Sequence, residues 1–176
     1  LGRVPARLHE DLADRVSELG AAAAWRRAVD LALEERVAAV LLAGDLVDGG
    51  NDFFEAFAHL RDGVSRLTAA GIQVVAVAGN HDPEVLARLV KVVPDVTLLG
   101  AGGAWQVWHL HDPDDGTRLV RLVGWSFPQR WVDHSPLAGN GLVAALETSA
   151  SGAPSLATIG LLHADRDQAD SRYAPV

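Results

Sequence analysis

The sequence contains no cysteine and no methionine, and Lys91 is its only lysine. Without cysteine the chain forms no disulfide bond and offers no thiolate, which is typical of a protein in a reducing compartment. No apolar run approaches the roughly 18 residues that a membrane-spanning helix needs. No basic segment followed by an apolar one opens the chain, as it would in a secretory signal. We therefore predict a cytoplasmic protein that has no membrane association.

Basic charge is also scarce, because 23 acidic residues outnumber 15 basic ones and give a net charge of −8. Proteins that bind nucleic acid without sequence preference usually carry a basic excess. The overall charge therefore argues against tight, sequence-independent DNA binding, although a local basic stripe can lie within an acidic total. A site for multivalent metal ions, by contrast, requires local carboxylates.

What is present is the composition of an ordinary globular protein, with 49% hydrophobic and 22% charged residues. A chain of 176 residues is long enough to bury a sizeable core. We therefore interpret residues 1–176 as one domain. The first 20 residues are polar and rich in arginine, and we expect them to be mostly irregular.

The first half of the chain alternates helical patterns with short apolar runs. Hydrophobic residues recur at helical spacing in three segments, and two wholly apolar runs separate them. The predicted helices are 21–36, 53–70 and 83–92, and the predicted buried strands are 38–43 and 72–78. This order predicts a parallel sheet that is covered by helices.

The second half has a different pattern. It contains three predicted strands at 96–99, 105–111 and 118–125, and the turn sequence "DPDDG" joins the last two as a hairpin. A Pro-, Gly- and Ser-rich stretch with one short helix, 141–147, then leads to a last apolar strand at 156–162. We predict an α/β fold that is parallel in its first half and more antiparallel in its second.

Three of the predicted strands end in polar residues. These residues are Asp45 and Asp48, then Asn80, His81 and Asp82, and finally His163. Ligands of open α/β sheets bind beyond the carboxyl ends of the strands, so we expect these side chains to share one edge. Carboxylate, amide oxygen and imidazole suit a transition metal, which makes Asp45, Asn80 and His163 candidate ligands. His81 need not be a ligand, because an imidazole can donate a proton near neutral pH.

Each of these residues also has a purely structural interpretation. Gly and Asn before His81 are typical of a turn, and Asp45 could accept hydrogen bonds within its own loop. Asp82 precedes Pro83, which favours Asp82 as the N-cap of the third helix. His109 and His111 share one face of a strand and could bind metal. Because no third ligand is near them in sequence, we interpret that face as solvated.

The three motifs together resemble those of a known family. "GDLVD" (44–48), "GNHD" (79–82) and "LLH" (161–163) occur here in the order found in the calcineurin-like metallophosphoesterases. The opening "LGR", the "SFP" at 126–128 and the helix-rich first half are most similar to the DNA-repair exonuclease branch, the nuclease subunit of double-strand-break repair complexes. The resemblance covers nearly the whole chain and implies a layered β-sandwich flanked by helices.

The resemblance implies a role for each candidate residue. Asp45 matches the carboxylate that bridges two metal ions, and Asn80 and His163 match ligands of the second ion. His81 matches the histidine that assists the leaving group, and Asp48 matches the acid that pairs with this histidine. The implied cofactors are two divalent ions about 4 Å apart, with Mn favoured over Fe or Zn. A metal-bound hydroxide would attack the phosphorus.

Two motifs of the family are missing from the chain. An Asp-x-His would precede Leu1, and a Gly-His-x-His would follow Val176. Together with the absence of methionine, this leads us to expect a domain truncated at both ends, which holds about half of the dinuclear site and is inactive alone.

The predicted function is metal-dependent phosphodiester hydrolysis, with DNA as the substrate. The alternatives are a phosphomonoesterase, a cyclic-nucleotide phosphodiesterase or a catalytically inactive scaffold. The resemblance also raises a coiled-coil ATPase subunit and a second copy of the chain as partners.

Overall fold

The structure is a computed structural model, which describes residues 1, 12, 15–48, 53–149, 156–168 and 170–176. The helices are α1 (Val16–Leu19), α2 (Ala21–Glu34), α3 (Phe53–Ala69), α4 (Pro83–Val92) and α5 (Gly141–Thr148). The strands are β1 (Ala39–Ala43), β2 (Gln73–Val77), β3 (Val96–Leu98), β4 (Gln106–His111), β5 (Arg118–Trp125) and β6 (Thr158–Leu162).

The strands form two sheets of three strands each. In the first sheet β2 lies between β1 and β3, and all three strands are parallel. In the second sheet β5 lies between β4 and β6, antiparallel to β4 and parallel to β6. The α/β fold with a parallel first half and a more antiparallel second half is thus confirmed.

Two hydrophobic clusters hold the layers together. Helices α2, α3 and α4 pack on one face of the first sheet through residues such as Val29, Leu60 and Leu86. The opposite face packs against the second sheet, where Val75 of β2 meets Leu122 of β5. Each fully buried aliphatic side chain of this kind contributes about 1.5–3 kcal/mol. The result is a helix layer and two stacked sheets.

The predicted burial of the strands is only partly correct. Four of the five residues of β2 are buried, as an apolar central strand requires. In β1 only Leu42 is buried, although its sequence is equally apolar. The reason is the position of each strand in the sheet. β2 has a neighbouring strand on both sides, whereas β1 is an outermost strand of the sheet that the described residues form.

The first 20 residues contain one helix that the sequence did not predict, α1 (Val16–Leu19). Residues 2–11 and 13–14 of this segment lie outside the described residues, so its predicted irregularity stays a prediction for them. Among the described residues, no helix is both long and apolar enough to cross a membrane.

Candidate metal and acid–base site

The ends of three strands meet at one edge of the two sheets. Strands β1 and β2 pair in register up to Ala43 and Val77, so the loops that follow them leave the sheet side by side. Strand β6 brings His163 to the same place from the second sheet, where its Nδ1 atom lies 3.0 Å from the carbonyl oxygen of Ala43. The structure therefore places His163 against a residue 120 positions earlier in the chain, directly before the loop that carries Asp45.

Three of these side chains present donor atoms to one another. The Nε2 atom of His163 lies 3.1 Å from Oδ1 of Asn80 and 3.4 Å from Oδ2 of Asp45. Asn80 is buried, whereas the side chains of His163 and Asp45 are 28% and 33% exposed. The three donors thus converge from the protein interior toward an open face.

This donor set fits a divalent cation. The Nδ1 atom of His163 faces a carbonyl oxygen to which it can donate, and in the tautomer with its proton on Nδ1 the Nε2 atom directs a lone pair toward two oxygens. Three lone-pair donors facing one another repel unless a positive charge lies among them. Metal bonds of about 2.1 Å at right angles place neighbouring ligand atoms roughly 3 Å apart, close to the two distances found here.

Glycine allows the two loops to approach this closely. Gly44 has φ +88°, and a Cβ atom there would lie 2.8 Å from Cα of Gly79 and 2.9 Å from Cβ of His163. A Cβ atom on Gly79 would overlap the carboxylate of Asp45. The glycines of the two motifs are therefore required by contact between the loops, and any side chain there would separate the candidate ligands.

Asp45 itself has a left-handed backbone, with φ +54°. For a residue other than glycine this conformation costs about 1–2 kcal/mol. Its Oδ1 atom accepts a hydrogen bond from the backbone N–H of His81 at 3.0 Å. The strained turn thus aims the carboxylate across to the neighbouring loop, and such strain is concentrated at functional sites.

His81 and Asp48 form a second pair beside the donor set. Nδ1 of His81 lies 2.8 Å from Oδ1 of Asp48, and the two side chains are 40% and 43% exposed. A carboxylate at Nδ1 fixes the tautomer and leaves Nε2 free to exchange a proton with a ligand. The geometry matches an oriented acid–base group.

Asp82 is the N-cap residue of α4, as the sequence predicts, but its side chain does not form the cap. Asp82 does precede Pro83 at the start of α4, but its carboxylate makes no capping hydrogen bond with the helix. It points inward and accepts hydrogen bonds from the backbone N–H groups of Leu46 (2.6 Å), Val47 (3.2 Å) and Gly79 (2.8 Å). Burial raises the pKa of Asp82, while these three N–H groups lower it and the charge of Asp45 raises it further.

His109 and His111 lie on β4, and their ring centroids are 6.4 Å apart. Desolvation lowers the pKa of His109, and the nearby charges of Arg118 and Arg121 lower it further. The positive charges of Arg118 and Arg121 disfavour a bound cation, and within the described residues no third His, Cys, Asp or Glu joins the pair. These histidines therefore make a poor metal site.

Sequence analysis missed two residues that support the site. The Oγ atom of Ser126 accepts a hydrogen bond from the N–H of Ala78 at 2.8 Å and donates one to the carbonyl oxygen of Leu99. The ring of Phe127 packs edge-on against His163, with centroids 5.8 Å apart. The sequence does show a serine between two aromatic residues at the end of a buried strand. Sequence analysis used this motif only for the family resemblance and assigned it no role in the site.

The number of ligands for a second ion is small in the described part of the chain. There, no group of three or more His, Cys, Asp or Glu side chains is arranged to hold a metal ion. The donor set reaches three only because Asn80 belongs to it. Asp45 is the member that the family resemblance assigns to both ions.

Comparison with known proteins gives two matches. A family model described as calcineurin-like phosphoesterase matches residues 8–171. The uncharacterized metallophosphoesterase YhaO of Bacillus subtilis is 42% identical over 60 residues, which are 34% of this chain and 15% of that protein. The matched stretch therefore spans a small part of that relative's length.

Proposed function

Because this chain belongs to the calcineurin-like phosphoesterase family, we propose that it forms the central part of a metal-dependent phosphodiesterase that acts on DNA. The observation that carries the proposal is the convergence of Asp45, Asn80 and His163 within 3.1–3.4 Å, next to the His81–Asp48 pair. A donor set for a hard or borderline cation beside an acid–base group is what hydrolysis of a phosphate ester requires.

Asp45, Asn80 and His163 would hold one ion, and Asp45 would also serve as a ligand of a second ion. The family typically binds two metal ions. One nitrogen and two oxygen donors favour Mn, with Fe or Zn as alternatives. When bound, such ions polarise the phosphate and activate water for attack on phosphorus.

His81 would deliver a proton to the oxygen that leaves phosphorus. Its Nδ1 atom is held by Asp48, so Nε2 is the atom that can carry the transferred proton. Asp48 would keep the ring in place and stabilise its protonated form. This division of work separates the residues that bind the ions from the pair that handles the proton.

DNA as the substrate is supported by an aromatic surface on α3, the helix that follows Asp48 in the chain. Phe54, in the first turn of α3 and six positions after Asp48, is 83% exposed, and its ring meets that of Phe53 edge-on at 5.4 Å. Two guanidinium groups flank the aromatic cluster. Arg88 lies 6.0 Å from the ring of Phe53, and Arg61 lies 5.3 Å from the ring of Phe57. An exposed ring in a cluster that two cations flank is suited to a stacked base and to phosphates.

Replacement of Phe54 by alanine is expected to weaken binding of single-stranded DNA about tenfold, since stacking one base contributes roughly 1–3 kcal/mol. Binding is measured by fluorescence anisotropy of a labelled oligonucleotide, in the full-length protein without metal ions so that no cleavage occurs. Phe54→Tyr, which keeps a ring, should retain the affinity.

The control is Leu31→Ala on α2, because Leu31 is likewise exposed, at 57%. It lies near the end of α2, where the chain leads into the first residue of β1, and so at the opposite end of the sheet from the site. Equal affinities for wild type and Phe54→Ala would remove the support for DNA from this surface. Hydrolysis of a small aryl phosphodiester should be the same in all these variants.

The proposed activity is tested by supplying Mn to the full-length protein with four substrates: single-stranded DNA, an aryl phosphodiester, an aryl phosphomonoester and a cyclic nucleotide. We expect turnover of DNA and of the diester. Faster turnover of the monoester or of the cyclic nucleotide would show that DNA is not the preferred substrate. Absence of turnover with all four substrates would favour an inactive scaffold. The coiled-coil ATPase and a second copy of the chain stay predicted partners.

A further inference from the structure

We propose that Asp82 is a positioning residue whose buried carboxylate ties the two ligand-bearing loops together so that Asp45 and Asn80 face the same ion. The inference rests on the proposed metal site and adds a residue to it that touches neither ion nor substrate. It gives a function to the one charged side chain of the site that has no exposed surface.

Each oxygen of Asp82 accepts hydrogen bonds from a different loop. Its Oδ2 atom accepts from the N–H groups of Leu46 and Val47, in the loop that follows β1. Its Oδ1 atom accepts from the N–H of Gly79, in the loop that follows β2. The paired strands end at Ala43 and Val77, so beyond them Asp82 supplies a cross-connection that the sheet no longer provides.

This connection acts on the conformation of Asp45. The two N–H groups that follow Asp45 in sequence, those of Leu46 and Val47, point at Asp82 while Asp45 has its left-handed backbone. A net hydrogen bond contributes about 0.5–1.5 kcal/mol, so these two offset the backbone strain. Asp82 therefore stabilises the turn that aims the Asp45 carboxylate at His163.

The chemistry requires a carboxylate and not merely a polar side chain. Three N–H donors face Asp82, and both of its oxygens accept. Asparagine has the same shape, but one of its two terminal atoms is itself a donor. An amide at this position would serve one loop and place N–H against N–H at the other, so the two loops would no longer be fixed to each other.

The test is Asp82→Asn in the full-length protein, with Mn affinity measured by calorimetry at a temperature where the variant is folded. We expect Mn to bind about ten- to a hundredfold more weakly, the usual loss when a residue that orients metal ligands is changed. The apparent Mn constant for activation should rise by a similar factor, while turnover at saturating Mn recovers. If Asp82→Asn does not fold, Asp82→Ser takes its place in both measurements. The serine hydroxyl can accept one hydrogen bond and places no NH2 group against the backbone N–H groups.

The matched control is Val64→Ala in α3, a fully buried core residue whose truncation destabilises the fold but removes none of the hydrogen bonds of Asp82. It should lower Tm and leave Mn affinity unchanged. Wild-type Mn affinity in Asp82→Asn, or an equal loss of affinity in Val64→Ala, would overturn the positioning role. Absence of Mn binding by the wild-type protein would instead overturn the proposed function, so the two failures are distinguishable.

Discussion

Replacement of Asp45 by asparagine in the full-length protein is expected to abolish phosphodiester hydrolysis and to weaken binding of both metal ions. The two oxygens of Asp45 face different partners, Oδ1 the backbone N–H of His81 and Oδ2 the imidazole of His163. An amide removes the negative charge and replaces one of the two acceptors by a donor. A loss of several kcal/mol of charge stabilisation corresponds to at least about a thousandfold in rate.

This prediction is checked by titrating Mn into the variant calorimetrically and by following cleavage of an aryl phosphodiester. The control is Asp30→Asn on α2, because the Asp30 carboxylate is exposed and forms its ion pair with Arg66, away from the site. The control should bind Mn and turn over as wild type does. Stoichiometric Mn binding with normal turnover in Asp45→Asn would exclude the bridging role.

The regular elements were predictable because their patterns are local. Helix α4 and strand β5 have the predicted bounds, and the first long helix ends two residues before its predicted end, where the chain turns toward β1. Helix α1 (Val16–Leu19) was missed because four residues are too few to show a helical period. Burial of β1 was overestimated because composition does not reveal which strand lies at the edge of a sheet.

The convergence of the polar residues followed from one rule, that the carboxyl ends of parallel strands share an edge. The rule holds within the first sheet, and stacking of the second sheet brings His163 to the same edge. What the rule could not give is the direction of each side chain. Asp82 shows the limit, because the local sequence Asp-Pro indicates a helix cap, whereas the carboxylate bonds to residues 35 and 36 positions earlier. That choice depends on tertiary contacts.

Replacement of His81 by alanine should abolish turnover of DNA, as Asp45→Asn does, but unlike that variant it should keep Mn binding. His81 bonds to Asp48 through Nδ1, while the ligand contacts of the site run through Asp45, Asn80 and His163. Loss of a proton donor costs about 10²–10⁴-fold in rate. An aryl phosphodiester has a leaving group that needs no proton, so its hydrolysis should fall much less than that of DNA.

Asp48→Asn supplies the matched variant, because it leaves the imidazole in place and removes only the carboxylate that orients it. Alone it should slow cleavage of DNA less than His81→Ala does, and added to His81→Ala it should cost nothing further, since the two residues act as one unit. The role of His81 is tested by calorimetric titration with Mn and by the cleavage rates of DNA and of the aryl phosphodiester. If Mn binding fell as far as in Asn80→Ala, His81 would be a ligand; an equal loss of rate on both substrates would mean that it donates no proton to the leaving oxygen.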